Sequence, residues 1–167
     1  MSEEKHVVFR LGNEKYSMNI AYVKAIEEQY SIIPLPDAPE NVKGMINLRG
    51  EIIPVYSLRS RFHMEEIEKT RDTQLLIAMA DNIQIAFEVD QVIGIETIEE
   101  ENRREIPVVI RGESTGYIGG ILNIRDQIVV EISVANIMSE SEWADIEQLM
   151  REHAVSYTHL RAHETSA

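Results

Sequence analysis

No cysteine occurs in the 167 residues. That absence excludes a disulfide framework, a thiolate nucleophile and any zinc site with sulfur ligands, and it fits a reducing compartment. Long apolar runs are also missing: no stretch approaches the ~20 consecutive apolar residues that span a bilayer. The N-terminus, MSEEKHVVF, lacks the basic segment and apolar run of a secretory signal. The expectation is a cytoplasmic chain that is neither exported nor inserted into a membrane by itself. Basic residues are scarce, with 16 Lys and Arg against 29 Asp and Glu and a net charge of -13. A field of that sign repels phosphate backbones, which argues against a nucleic-acid or anionic-membrane binder. What remains is an ordinary globular composition, 44% hydrophobic and 27% charged, long enough to bury a core without a metal or disulfide staple.

Apolar runs of about four to seven residues, separated by Gly, Asn, Asp or Pro, set the rhythm of an antiparallel β protein. Val7 to Leu11 and Tyr16 to Ile20 flank Gly12-Asn13-Glu14, and Met45 to Leu48 and Ile52 to Val55 flank Arg49-Gly50-Glu51. Leu75 to Ala80 and Ile83 to Val89 meet at Asp81-Asn82, Val92 to Ile98 continues the meander, and Tyr117 to Ile124 with Ile128 to Ile132 surround Arg125-Asp126-Gln127. Each pair predicts a hairpin. Helix is predicted over Ile20 to Ile26, over one turn at Pro39 to Lys43, and over Glu140 to His153. In the last of these, Trp143, Ile146, Leu149 and Met150 share a face and Ser139 or Ser141 offers an N-cap. From Val155 the periodicity stops, so residues 155–167 are expected to be an unstructured, non-native tail to a domain over 1–154.

Motifs with a mechanical meaning for catalysis are absent: there is no G-x-S-x-G, phosphate loop, H-E-x-x-H or C-x-x-C. Of the histidines His6, His63, His153, His159 and His163, two lie in the tail and the rest lack ligand spacing. The acidic run Glu99-Glu100-Glu101 is a solvated loop, because hard cations need ligands spaced around a turn. No catalytic residue, metal site or cofactor is therefore expected. The segment Gly44-Met45-Ile46-Asn47-Leu48-Arg49-Gly50, continuing through Pro54 to Leu58-Arg59, stands apart. It sets an arginine beside a glycine at a hairpin tip, where a guanidinium presents a fork of donors to a carboxylate.

Gly44, Asn47-Leu48-Arg49-Gly50, Pro54, Leu58-Arg59 and Phe62 resemble the signature of the CheW family of bacterial chemotaxis coupling proteins. The resemblance extends from about His6 to Met138. It takes in Phe9-x-Leu-Gly-x-x-x-Tyr16, Ile20-x-x-Val23-x-x-Ile26, Val89-Asp90-x-Val92 and Tyr117-Ile118-x-Gly120-Ile121. Ser57 and Ser133 replace acidic or amide residues usual in the family, and Ala25 stands where many members carry Glu, with Glu27 and Glu28 close by.

The resemblance implies a mainly all-β fold of two five-stranded SH3-like barrels packed about a shared seam, with short helices and a C-terminal helix. It also implies a non-catalytic adaptor that binds the regulatory domain of the histidine kinase CheA and the cytoplasmic tip of chemoreceptors, recruited to membrane-bound receptor arrays. On that basis Ile20, Val23, Ile26, Val89 and Val92 are expected to receive the receptor, and Gly44, Arg49 and Gly50 to meet the kinase. A coupling domain of a larger CheV-like chain with a receiver is the alternative within the fold. A small β-barrel hydrolase or ligand carrier is the alternative outside it, and it lacks a nucleophile with a base at readable spacing.

Overall fold

The structure is a computed structural model that describes residues 4–110 and 115–165. In chain order the strands are β1 (Glu4–Leu11), β2 (Glu14–Asn19), β3 (Val23–Glu27), β4 (Val42–Leu48), β5 (Glu51–Ser57), β6 (Gln74–Ala80), β7 (Ile83–Val89), β8 (Gln91–Ile98), β9 (Arg103–Arg104), β10 (Ile118–Ile124) and β11 (Gln127–Ile132). The helices are α1 (Leu58–Arg61) and α2 (Glu140–Thr165), with 3₁₀ turns between some strands. One sheet has the order β8-β1-β2-β11-β10-β9 and the other β3-β6-β7-β5-β4. All the predicted hairpins form. The first sheet gains a sixth strand beyond the expected five, the two-residue β9 beside Ile121 and Leu122.

Two-residue turns fix the hairpins. Arg49 and Gly50, Asp81 and Asn82, and Arg125 and Asp126 all take positive φ, the type I′ geometry whose twist matches that of the flanking strands. Each sheet wraps a small cluster of its own. Val8, Ile98, Leu122 and Val129 fill the first, and residues such as Ile46, Ile53, Leu75 and Ile77 the second. The largest cluster lies between them, where Phe9, Leu11 and Met18 of the first sheet meet Tyr56, Leu76 and Phe87 of the second. Fully burying a side chain of this size stabilises by about 1.5–3 kcal/mol, so this seam holds the two barrels as one body.

Three helix expectations change. Ile20–Tyr22 is a single 3₁₀ turn, capped by Asn19 through the Ala21 N–H at 2.9 Å, and the chain then becomes β3. Strand pairing of Ile26 opposite Leu76 overrides a weak local pattern, and β-branched Val23 and Ile26 suit it. Pro39 to Lys43 is not helical. Asn41 sits at φ 71°, which ends any right-handed turn, and β4 begins at Val42. α2 starts where predicted, with Ser139 and Glu142 exchanging hydrogen bonds of 3.1 Å as a capping box. It continues to Thr165 in place of the tail expected from Val155, since nothing between Glu140 and Thr165 is a Gly or Pro that would stop it.

Candidate functional site

The Arg49 tip is built from its turn upward. The Gly50 N–H donates to Asn47 Oδ1 at 2.9 Å, so the side chain of Asn47 closes the turn and lifts Arg49 outward. Arg49 has φ 52°, and its side chain is 77% exposed. Its guanidinium reaches one carboxylate, Glu27 Oε1 on β3, at 3.5 Å. Of the acidic residues near Ala25, it is Glu27 that meets Arg49. Gly50 has φ 90° with open space around its missing Cβ, so it serves the turn and leaves the flank of Arg49 uncrowded. Beneath the tip is a cavity of about 210 Å³ walled by Lys24, Ala25, Leu48, Ile77 and Gln84. The arrangement offers a guanidinium with unused donors above a small hollow of mixed polar and apolar lining, in which Glu51 also takes part.

Gly44 lies elsewhere on the same hairpin, buried in the edge strand β4. A Cβ there would stand 2.2 Å from the Ile33 carbonyl oxygen. That carbonyl accepts from the Met45 N–H at 2.9 Å, and the Ile33 N–H donates to the Met45 carbonyl at 2.7 Å. Gly44 is therefore needed first for the Ile33–Met45 bridge.

The apolar positions separate. Ile20 and Ile26 are exposed and Val23 is half-buried, with Tyr22 adding an exposed ring beside them. Val92 is half-buried against the central cluster. Val89 is 1% exposed and belongs to that cluster, which withdraws it from any docking surface. Inward-facing positions of β7 all pack the seam, so strand alternation rather than family order decides Val89.

Most of the remaining signature is spent inside the molecule. Arg59 donates to both carboxylate oxygens of Asp90, Nε to Oδ1 at 2.9 Å and an Nη to Oδ2 at 2.6 Å. The Gly12 N–H adds a bond of 2.7 Å to Oδ2. Burial by itself raises the Asp90 carboxyl, but Arg59 and the Gly12 N–H outweigh it and hold the group below the ordinary carboxylate range. Phe62 stacks on Tyr16 with ring centres 5.4 Å apart and meets Tyr117 at 5.0 Å. Phe9, Gly12, Tyr16, Arg59, Phe62, Asp90 and Tyr117 are thus one tie across the two barrels. Ser57 caps α1 through the Ser60 N–H at 3.0 Å. Among the described residues, no group of His, Asp and Glu side chains is placed to hold a metal ion.

Residues 5–142 match the family model described as the CheW-like domain. The chain is similar to the chemotaxis protein CheW of Treponema pallidum, at 29% identity over 81% of this chain and 82% of that protein. It is similar to the CheW of Bacillus subtilis at 27% identity over 83% and 88%. The scaffolding protein TtCheW of Thermoanaerobacter tengcongensis has the same fold, with a TM-score of 0.75 and 30% identity over 84% of this chain and 96% of that one. With its two small barrels, the signature tie across their seam and the arginine tip left at the surface, this chain belongs to the CheW family and is a chemotaxis adaptor.

Proposed function

We propose that this chain couples the cytoplasmic tip of chemoreceptors to the regulatory domain of the histidine kinase CheA, without chemistry of its own, in the cytoplasm at membrane-bound receptor arrays. The observation that carries the reading is the Arg49 tip. Its neighbours in the signature are consumed in turns, caps and the seam, whereas Arg49 is held out by Asn47 and Gly50 and has a single distant ion pair. An exposed surface change costs folding little, roughly 0.5 kcal/mol, so the arginine's contribution lies in contact with a partner. A charge-assisted hydrogen bond to a partner carboxylate is worth about 1.5–3 kcal/mol, or roughly ten- to a hundredfold in affinity.

The receptor surface in this reading is the exposed segment of Ile20, Val23 and Ile26 together with Val92, an apolar strip suited to the face of a helical hairpin. Co-sedimentation with a receptor fragment and a kinase fragment, coupled to kinase turnover, tests both surfaces. Arg49→Ala is expected to melt like the parent and to lose coupling, with Arg49→Lys intermediate because it keeps the charge without the fork. Val23→Asp is expected to lose the receptor alone. Full coupling by a folded Arg49→Ala protein overturns the kinase part, and unchanged receptor binding by a folded Val23→Asp protein overturns the receptor part.

A further inference from the structure

The apolar strip proposed for the receptor is drawn from two edge strands of different sheets. Val23 and Ile26 lie on β3, the outermost strand of the second sheet, and Val92 lies on β8, the outermost strand of the first. Among the described residues, β3 is paired with β6 and β8 with β1, so no backbone ladder sets the distance from one wall of the strip to the other. Apolar packing in the seam is non-directional and fixes such a distance loosely. Hydrogen bonds, with their narrow range of lengths and angles, fix it closely.

Gln74 supplies hydrogen bonds to both walls. The turn Thr70-Arg71-Asp72-Thr73 delivers it: the Thr70 N–H donates to Thr73 Oγ1 at 2.9 Å, the Asp72 N–H donates to Thr70 Oγ1 at 3.1 Å, and Thr73 is buried. β6 begins at the next residue, Gln74. Leu76 and Ala78 of β6 pack in the central cluster, and strand alternation puts Gln74 on the same face, half-buried at the end of the strand. Its Oε1 accepts from the Val92 N–H at 3.1 Å. Its Nε2 donates to Oε1 of Glu28, the residue after β3, at 3.4 Å. The chemistry fixes which way the amide faces, because the Val92 N–H can meet only the oxygen and the NH2 is then left for the carboxylate. One planar group therefore bonds the β8 wall with its oxygen and the β3 wall with its nitrogen.

We infer that Gln74 is a positioning residue for the receptor: its side-chain amide is a strut that holds Val92 at a set distance from Val23 and Ile26, so that both walls meet one face of a helical hairpin. The identity of that partner rests on the proposed function. The strut is separate from the Arg49 tip. Glu27 and Glu28 are adjacent in the chain and turn to opposite sides, the first to Arg49 and the second to Gln74.

Affinities of the full chain for a receptor cytoplasmic-tip fragment and for the kinase regulatory fragment test the strut. Gln74→Glu keeps an oxygen for the Val92 N–H but sets like charges against each other at Glu28. The receptor fragment is expected to bind it about tenfold more weakly, while the kinase fragment keeps its parental affinity. Adding Glu28→Gln moves the donor to the other side of the pair, and the double variant is expected to recover the parental receptor affinity. Gln74→Ala adds no charge and removes both bonds, so it is expected to weaken the receptor to a similar degree and to speed hydrogen exchange at the Val92 amide. Thermal melts check that each variant is folded. Parental receptor affinity in folded Gln74→Glu and Gln74→Ala proteins, or a double variant no stronger than Gln74→Glu, overturns this inference and spares the proposed function. No receptor binding by the parent overturns both.

Discussion

Replacing Gly44 with alanine puts one methyl group where the fold has no room for it. The new Cβ would lie 2.2 Å from the Ile33 carbonyl oxygen and 2.9 Å from Ile32 Cγ2, against 3.4–4 Å for ordinary contact. The near atom is backbone, and it is bonded to Met45 in both directions at 2.7 and 2.9 Å, so it cannot swing away as a side-chain end does. Relief requires the Ile32–Ile33 segment to retreat by about 1 Å, more than a hydrogen-bonded bridge tolerates. Losing two hydrogen bonds costs about 1 kcal/mol each. Positive φ at a non-glycine residue adds roughly 1–3 kcal/mol, and loosening Ile32 from the cluster of the second barrel adds about 1 more.

The expected loss is therefore about 4–6 kcal/mol of a total near 5–15, leaving a weakened protein. Urea unfolding at neutral pH is expected to show a lowered midpoint with an unchanged slope. Amide exchange is expected to show protection lost at Met45 and Ile33 but retained across β6 and β7. A Gly44→Ala protein within about 0.5 kcal/mol of the parent, with the Met45 amide still protected, refutes the steric reasoning. It would leave the kinase-facing role that the family resemblance implies as the reason for glycine there.

Asp90→Asn removes the charge that Arg59 and the Gly12 N–H hold at the seam, and near neutral pH it is expected to cost about 3 kcal/mol, as breaking a buried pair does. Because the folded carboxyl lies below its ordinary value of 3.8, its stabilisation is present above that pH and is lost as pH falls through the folded value. The gap between parent and variant in thermal melts should hold from pH 8 to about 5 and narrow below about pH 3.8; a gap that stays constant down to pH 2.5 refutes the linkage. Phe62→Ala is expected to cost about 2 kcal/mol, less than the ~3–5 of a fully buried ring because Phe62 is half-buried. A midpoint unchanged in denaturant would show that the Tyr16–Phe62–Tyr117 stack does not hold the barrels together.

Hairpins were legible because two independent local signals coincided in them, apolar runs of strand length and turn residues able to take positive φ. Asp81-Asn82 and Arg49-Gly50 are the clearest cases. The short helices were not legible, because Ile20 to Ile26 satisfies helical spacing and also suits an edge strand. Only the presence of β6 beside it decides the outcome. The site was half legible. Arg49 could be read from its turn, but its partner depended on which of Ala25, Glu27 and Glu28 the bulge between Val23 and Ala25 would turn toward the hairpin. Val89 was misplaced because family order says nothing about which face of β7 looks into the seam.

The two barrels are copies of one arrangement, with Gly44 to Arg49 matching Gly120 to Arg125 in hairpin register, and that repeat escaped a linear reading for a topological reason. In the second barrel the chain runs through β3, the β4–β5 hairpin and then the β6–β7 hairpin in order. In the first barrel the equivalent elements are β8 and the β10–β11 hairpin at the end of the chain and the β1–β2 hairpin at its start. The two copies are circular permutations, so no single window of sequence contains both in the same order. One consequence concerns folding. The first barrel cannot close until β1 and β2 meet β8 and β11, contacts about 80 to 110 residues apart in sequence. The second barrel is contiguous between Val23 and Val89. Contiguity favours early formation of the second barrel, which presents Tyr56, Leu76 and Phe87 as the apolar surface on which Phe9, Leu11 and Met18 assemble the first. The seam that fixes the distance between the two arginine tips is therefore also the step that completes the fold.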